Sequence, residues 1–66
     1  PEAVKKLLEV MEYDIPYTSR ELMEKLELKS REGFRRNYLH PAVKLNLVRL
    51  TVPDKPNSRN QRYVKI

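Results

Sequence analysis

The order of segments along this chain constrains its fold most, because a basic hairpin follows three helix-like patterns. Residues 48–52 alternate apolar and polar side chains, as a strand with one buried face does. Residues 53–60 are polar and turn-rich, and residues 61–66 return to a strand pattern. Pro53 and Pro56 bracket the tip and keep the strands from extending into it. Three helices followed by a two-stranded β-hairpin predict an α+β fold of the winged helix-turn-helix type, with the hairpin as the wing.

The first helix is predicted from apolar residues spaced i, i+3, i+4 and i+7, which form one stripe. They are Val4, Leu7, Leu8 and Met11. We expect this stripe to lie in the core with Tyr13 at its edge. Asp14 and Pro16 are expected to end the helix, because a residue before proline is pushed out of the α region.

Residues 18–21, Thr-Ser-Arg-Glu, match the capping box that opens a helix. The second helix therefore begins here, with Tyr17 either packed back on it or extending a short strand. Its predicted buried side consists of Leu22, Met23 and Leu26.

Ser30 is the predicted N-cap of the third helix. Pro41 interrupts the pattern, so we expect a kink near residues 39–40, or a break after which Pro41 restarts the helix. Asn46 suits a left-handed residue that ends it. The inward side is predicted to be Phe34, Tyr38, Ala42 and Leu45.

Charge is distributed unevenly along the chain. Residues 1–28 hold four basic and seven acidic residues, a net charge of −3, whereas residues 29–66 hold ten basic and two acidic, a net charge of +8. We expect a positive face that contacts a partner. The alternative is a solvated charged surface that only aids solubility. The excess falls on the start of the third helix and on the wing, which a DNA-binding winged helix uses.

We therefore predict binding to double-stranded DNA, with the third helix in the major groove and the wing on the backbone. The alternative is a protein-interaction, dimerisation or regulatory module that contacts its parent chain or a second copy. Its footprint would lie near Met23, Leu39 or Tyr13. The predicted DNA contacts are Lys29, Ser30, Arg31, Arg35, Arg36, Lys55, Asn57, Arg59, Asn60 and Arg62.

Other functions are not indicated by the composition. The chain has 66 residues and no cysteine, which predicts one domain over residues 1–66 in a reducing, cytoplasmic compartment. Because it begins with Pro1 and not with Met, we expect a domain cut from a longer protein, or one trimmed of its tag. His40 is the only histidine and has no second metal ligand nearby. With no phosphate loop, nucleophile–base pair or apolar span, we predict no catalytic site, no metal, no cofactor and no membrane partner.

Residues 28–41 and 47–63 resemble the C-terminal winged-helix domain of two kinds of bacterial multidomain protein. One is the RecG-related group of ATP-dependent DNA helicases and AlbA-type transcriptional regulators, and the other is the Fic family. The wing at residues 53–61, Pro-Asp-Lys-Pro-Asn-Ser-Arg-Asn-Gln, is the most specific part. Glu27 and Gly33 depart from the pattern, since glycine is common at that turn and a larger residue within the helix.

This resemblance implies a DNA-binding accessory domain with a role in transcription regulation. It implies neither helicase activity nor adenylyl transfer for the chain itself, because the Walker-type loop and the Fic catalytic motif are both absent.

Overall fold

The computed structural model describes residues 1–66. Two helices, α1 (Glu2–Val10) and α2 (Ser19–Lys25), precede a third helical stretch over residues 31–44. That stretch consists of α3 (Arg31–Phe34), a π-helical segment (Arg35–Leu39) and α4 (His40–Lys44). Strands β1 (Val48–Leu50) and β2 (Tyr63–Lys65) then pair antiparallel. The chain thus has the predicted α+β architecture of three helices and a two-stranded hairpin, and it is winged-helix-like.

The core is built where α1 crosses the third helical stretch. Leu7, Leu22, Phe34 and Val48 are its largest fully buried side chains, one from each helix and one from β1. Burying one such side chain stabilises the fold by about 1.5–3 kcal/mol. The stripe predicted for α1 is confirmed, because Val4, Leu7 and Met11 are buried and Leu8 packs against them.

The capping box at the start of α2 is confirmed. Thr18 Oγ1 accepts from the Glu21 N–H at 3.1 Å, and the Thr18 N–H donates to Glu21 Oε1 at 2.8 Å. Tyr17, just before the cap, extends a short strand as one of the two alternatives proposed. Its N–H and carbonyl pair with Tyr63 at 2.9 and 2.8 Å.

Both α2 and α4 end in a Schellman motif with a left-handed residue that is not glycine. After α2, Glu27 has φ of 58°, and the Leu28 N–H donates to the Met23 carbonyl at 2.9 Å. After α4, Asn46 has φ of 61° and the next N–H donates to the Ala42 carbonyl at 3.0 Å, as predicted from Asn46. Glu27 therefore forms the turn in which glycine is common.

Pro41 disturbs the third helical stretch: it lies in the first turn of α4, as one of the two predicted alternatives has it, and a π turn precedes that helix. The His40 N–H donates to the Arg35 carbonyl five residues earlier. Because Pro41 has no N–H and its ring crowds the preceding turn, a wider turn just before it reduces the conflict.

The π turn also changes which residues of this stretch point inward. Leu39, five residues after Phe34, is only 2% exposed, so it cannot belong to the predicted partner footprint. Leu45 was predicted to be buried and is 54% exposed, because α4 has already ended at Lys44. Ala42 is buried as predicted, whereas Leu45, three residues further on, lies beyond the last residue of the helix.

Two elements are shorter than predicted, namely α1 and the last strand. Helix α1 ends at Val10, earlier than predicted from Asp14, and the following segment is extended. Tyr13 therefore lies in a parallel bridge to Lys65 and is 63% exposed rather than at the core edge. The returning strand, predicted from residues 61–66, is shorter, since β2 covers only Tyr63–Lys65 and Ile66 after it is 58% exposed.

None of the helices is both long enough and apolar enough to cross a membrane.

Candidate nucleic-acid interface

A polar cleft of about 450 Å³ lies between the wing and the second and third helical stretches. We call it the cationic cleft, because no acidic residue lines it and its only apolar side chains are those of Pro56 and Tyr63. Its charged residues are Arg20 from α2, Arg31 from α3, Arg35 from the π-helical segment and Arg59 from the wing.

The arginines of the cationic cleft have no carboxylate partner. The one salt bridge in the structure joins Arg36 to Glu32 at 3.9 Å, and both side chains are highly exposed, so it contributes little. Arg31 and Arg35 are four residues apart and share one side of the third helical stretch. Uncompensated positive charge in a concave site raises the local concentration of anions.

The carboxylate of Glu21 is held at the cap of α2 and does not line the cleft. The hydrogen bond from the Thr18 backbone N–H lowers the pKa of Glu21 below its ordinary value of 4.5. The Thr18 hydroxyl and the charges of Arg62 and Lys25 act in the same direction. This side chain is fully exposed and stays ionised at neutral pH. The hydrogen bonds between Thr18 and Glu21 that cap α2 therefore persist beside the cleft.

The wing tip is held by the buried side chain of Gln61, which is 6% exposed. Its Oε1 accepts from the Val52 N–H at 2.9 Å, and its Nε2 donates to the carbonyls of Val52 at 2.6 Å and Lys55 at 3.1 Å. The side-chain amide therefore pairs with Val52 as a strand residue would. It continues the ladder beyond Thr51, whose N–H donates to the Arg62 carbonyl at 2.9 Å.

The structure brings only part of the predicted contact set into the cleft. Four of the predicted residues line it, namely Arg31, Arg35, Asn57 and Arg59. The other six lie outside the lining, namely Lys29, Ser30, Arg36, Lys55, Asn60 and Arg62.

Ser30, one of these six, has a structural role that explains the glycine inside α3. Its Oγ accepts from the Gly33 N–H at 3.0 Å, which caps the helix as predicted. A Cβ at Gly33 would lie 3.2 Å from that oxygen, closer than ordinary van der Waals contact. The glycine therefore has a local packing reason, and a larger residue would crowd the cap.

Sequence reasoning missed Arg20 and Gln61. Arg20 was predicted only as part of the capping box, although the helix that precedes the recognition helix in a helix-turn-helix crosses the DNA backbone. Gln61 was predicted only to belong to the returning strand. Its position at the start of the returning strand, opposite Val52, was the available signal.

Three helices, a hairpin wing and a cationic cleft between them define a small winged-helix-like domain. Comparison with known protein families shows which family this domain belongs to. The family described as "Filamentation induced by cAMP protein Fic-like, C-terminal domain" matches residues 2–64. The chain therefore belongs to the Fic-like C-terminal domain family.

A solved structure agrees with this assignment. The crystal structure of a Fic family protein from Desulfovibrio desulfuricans G20 is similar to the whole chain, with a TM-score of 0.91 and 35% sequence identity. The match covers 100% of this chain and 20% of that protein, so the chain spans about one fifth of its relative's length. No curated protein matches. The resemblance to RecG-related helicases and AlbA-type regulators stays a prediction.

Proposed function

We propose that this chain is a double-stranded DNA-binding accessory domain of a Fic family protein. The observation that supports the proposal is the composition of the cationic cleft. Arg31 and Arg35 of the third helical stretch and Asn57 and Arg59 of the wing are distant in sequence, yet they line one space that contains no carboxylate. Such a surface suits the phosphate backbone of nucleic acid.

The third helical stretch is the element that would enter the major groove. Arg31 and Arg35 share one of its sides, and an arginine can donate two parallel hydrogen bonds to a guanine edge or to a phosphate. Lys29 and Arg36 flank them and are exposed, so they would add backbone contacts. On the wing, Lys55, Asn60 and Arg62 are exposed beside the cleft residues and would contact the flanking backbone.

A duplex titration followed by amide NMR tests this function. We expect shifts at residues 29–37 and 55–62, with an affinity that falls steeply as salt rises. Arg35→Ala and Arg59→Ala should weaken binding while the rest of the spectrum stays that of the folded domain. Arg49→Ala is the matched control, because Arg49 is exposed on β1 and does not line the cleft. Absence of any shift at low salt would refute DNA binding.

The accessory role is our proposal for the chain within a larger parent. The similar Fic family protein is about five times as long as this chain. Adenylyl transfer would reside in its remaining four fifths, outside the region that this chain matches. A helicase-type or regulator-type parent is a second proposal, and it rests on the resemblance of residues 28–41 and 47–63, of which the wing at residues 53–61 is the most specific part. Sequencing the gene upstream of the codon for Pro1 distinguishes the two parents.

A second candidate function, contact with the parent chain or a second copy, is favoured by an apolar groove of about 380 Å³. Leu8, Leu45, Leu47 and Pro1 are among its lining residues, and none of them lines the cationic cleft. Sedimentation equilibrium tests the dimer: Leu47→Glu should return a self-associating domain to monomer. A wild-type domain that is monomeric at high concentration would exclude the homodimer.

A further inference from the structure

The first turn of α2 contributes to the cationic cleft but belongs to neither element assigned to DNA above. Thr18, Ser19 and Arg20 line the cleft on one side, and Asn57, Ser58 and Arg59 line it from the wing. The wing tip and α2 therefore face each other across a shared space. A ligand in that space would contact both at once.

The chemistry of this space points to a phosphate group. Arg20 and Arg59 carry positive charge without an ion-pair partner, since the one salt bridge lies elsewhere. The Ser19 hydroxyl and the Asn57 amide, which also line the cleft, can donate to phosphate oxygens. Arginine matches the geometry of phosphate with two parallel donors, and its charge is not lost at any physiological pH.

Two hydrogen-bonded structures hold the opposing sides of this space. On the α2 side, the capping box fixes the turn that contains Ser19 and Arg20. On the wing side, Gln61 holds the tip through its bonds to Val52 and Lys55. Because hydrogen bonds within the domain hold both sides, little conformational freedom would be lost when a phosphate binds.

We infer that the cationic cleft is a phosphate-binding site in which Arg20 is a further contact, and that its phosphate is supplied by the DNA backbone. This inference rests on the proposed function. It adds α2 to the interface, so the bound strand would pass between α2 and the wing instead of only across the third helical stretch.

The salt dependence of duplex binding tests the role of Arg20. Fluorescence anisotropy would give the observed binding constant of wild type, Arg20→Gln and Arg49→Gln over a range of NaCl concentrations. One lost phosphate contact lowers the slope of log K against log salt by about 0.9. We expect that change for Arg20→Gln and an unchanged slope for Arg49→Gln, which removes the same charge outside the cleft. Arg20→Lys should retain the slope but bind less tightly, because lysine lacks the two parallel donors.

The outcomes separate this inference from the proposed function. If wild type binds duplex and Arg20→Gln has the same slope as Arg49→Gln, the phosphate site is refuted and DNA binding stands. If wild type does not bind duplex, the DNA-binding proposal fails. A titration with inorganic phosphate then decides whether the cleft binds phosphate at all. Saturable amide shifts at Ser19 and Arg20, lost in Arg59→Gln, would support a phosphate site with a small anion as its source. No shifts would overturn the site altogether.

Discussion

Replacing Gln61 by methionine tests whether one side chain holds the wing. Methionine has a similar volume, so the substitution removes the hydrogen bonds without leaving a large cavity. Three bonds to backbone groups are lost, two with Val52 and one with Lys55. At about 1 kcal/mol net for each bond, the loss is about 3 kcal/mol, which is reduced by about 1 kcal/mol because the Lys55 carbonyl still accepts from the Ser58 N–H at 2.9 Å. We therefore expect the free energy of unfolding to fall by about 2 kcal/mol.

Urea denaturation followed by circular dichroism measures this change. With a slope of about 1 kcal/mol per molar urea for a domain of this size, the midpoint should fall by about 2 M. The melting temperature should fall by about 8–16 °C. Asn60→Ala is the control, because the Asn60 side chain is exposed and next to Gln61. It should shift the midpoint by less than about 0.5 M.

Amide hydrogen exchange gives a local readout of the same change. The Val52 N–H, which donates to Gln61 Oε1, should lose its protection in the methionine variant before the amides of α1 do. A stability change below about 0.5 kcal/mol, with Val52 still protected, would refute this account of the wing.

Three further predictions concern the helix ends. The lowered pKa of Glu21 implies a stabilising contribution that is present above its ordinary value of 4.5 and is lost as pH falls through the folded value. Wild type should thus lose stability relative to Glu21→Gln as pH falls from 6 to 3, and parallel urea curves would contradict this. Glu27→Gly should stabilise the domain by about 0.5–1 kcal/mol because glycine adopts positive φ freely, whereas Glu27→Ala should not. Lys65→Met should cost about 1–2 kcal/mol, since the ammonium group donates to two carbonyls at the end of α1, and a thermal melt equal to wild type would count against it.

Sequence patterns predicted the structure best where the interacting groups are close in the chain. The cap at Thr18 bonds to a residue three positions away, and Asn46 ends its helix by its own backbone preference. The α1 stripe likewise depends only on helical spacing. Each of these features depends only on residues within a few positions of one another. They can therefore be predicted without knowing which distant residues come into contact.

Predictions failed where the partner is distant or the periodicity changes. Gln61 bonds to Val52, nine residues away across the wing, and nothing local distinguishes it from its polar neighbours. Leu39 was expected in a partner footprint but is buried, because the π turn places it five residues after the buried Phe34. Arg20 reaches the cleft only because the wing folds back beside α2. The cleft is thus a property of the assembled fold, whereas the charge asymmetry that indicated it was visible in the sequence.

The bond between Lys65 and α1 has a consequence for how the domain folds. Lys65 Nζ donates to the carbonyl of Leu8 at 3.0 Å and to that of Met11 at 3.3 Å, across separations of 57 and 54 residues. Closing so long a loop costs entropy that only the assembled core can offset. This contact should therefore form after the transition state, so its removal would accelerate unfolding and leave the refolding rate nearly unchanged. Neither end of the chain can then separate without loosening the other, and the domain should unfold as one cooperative unit.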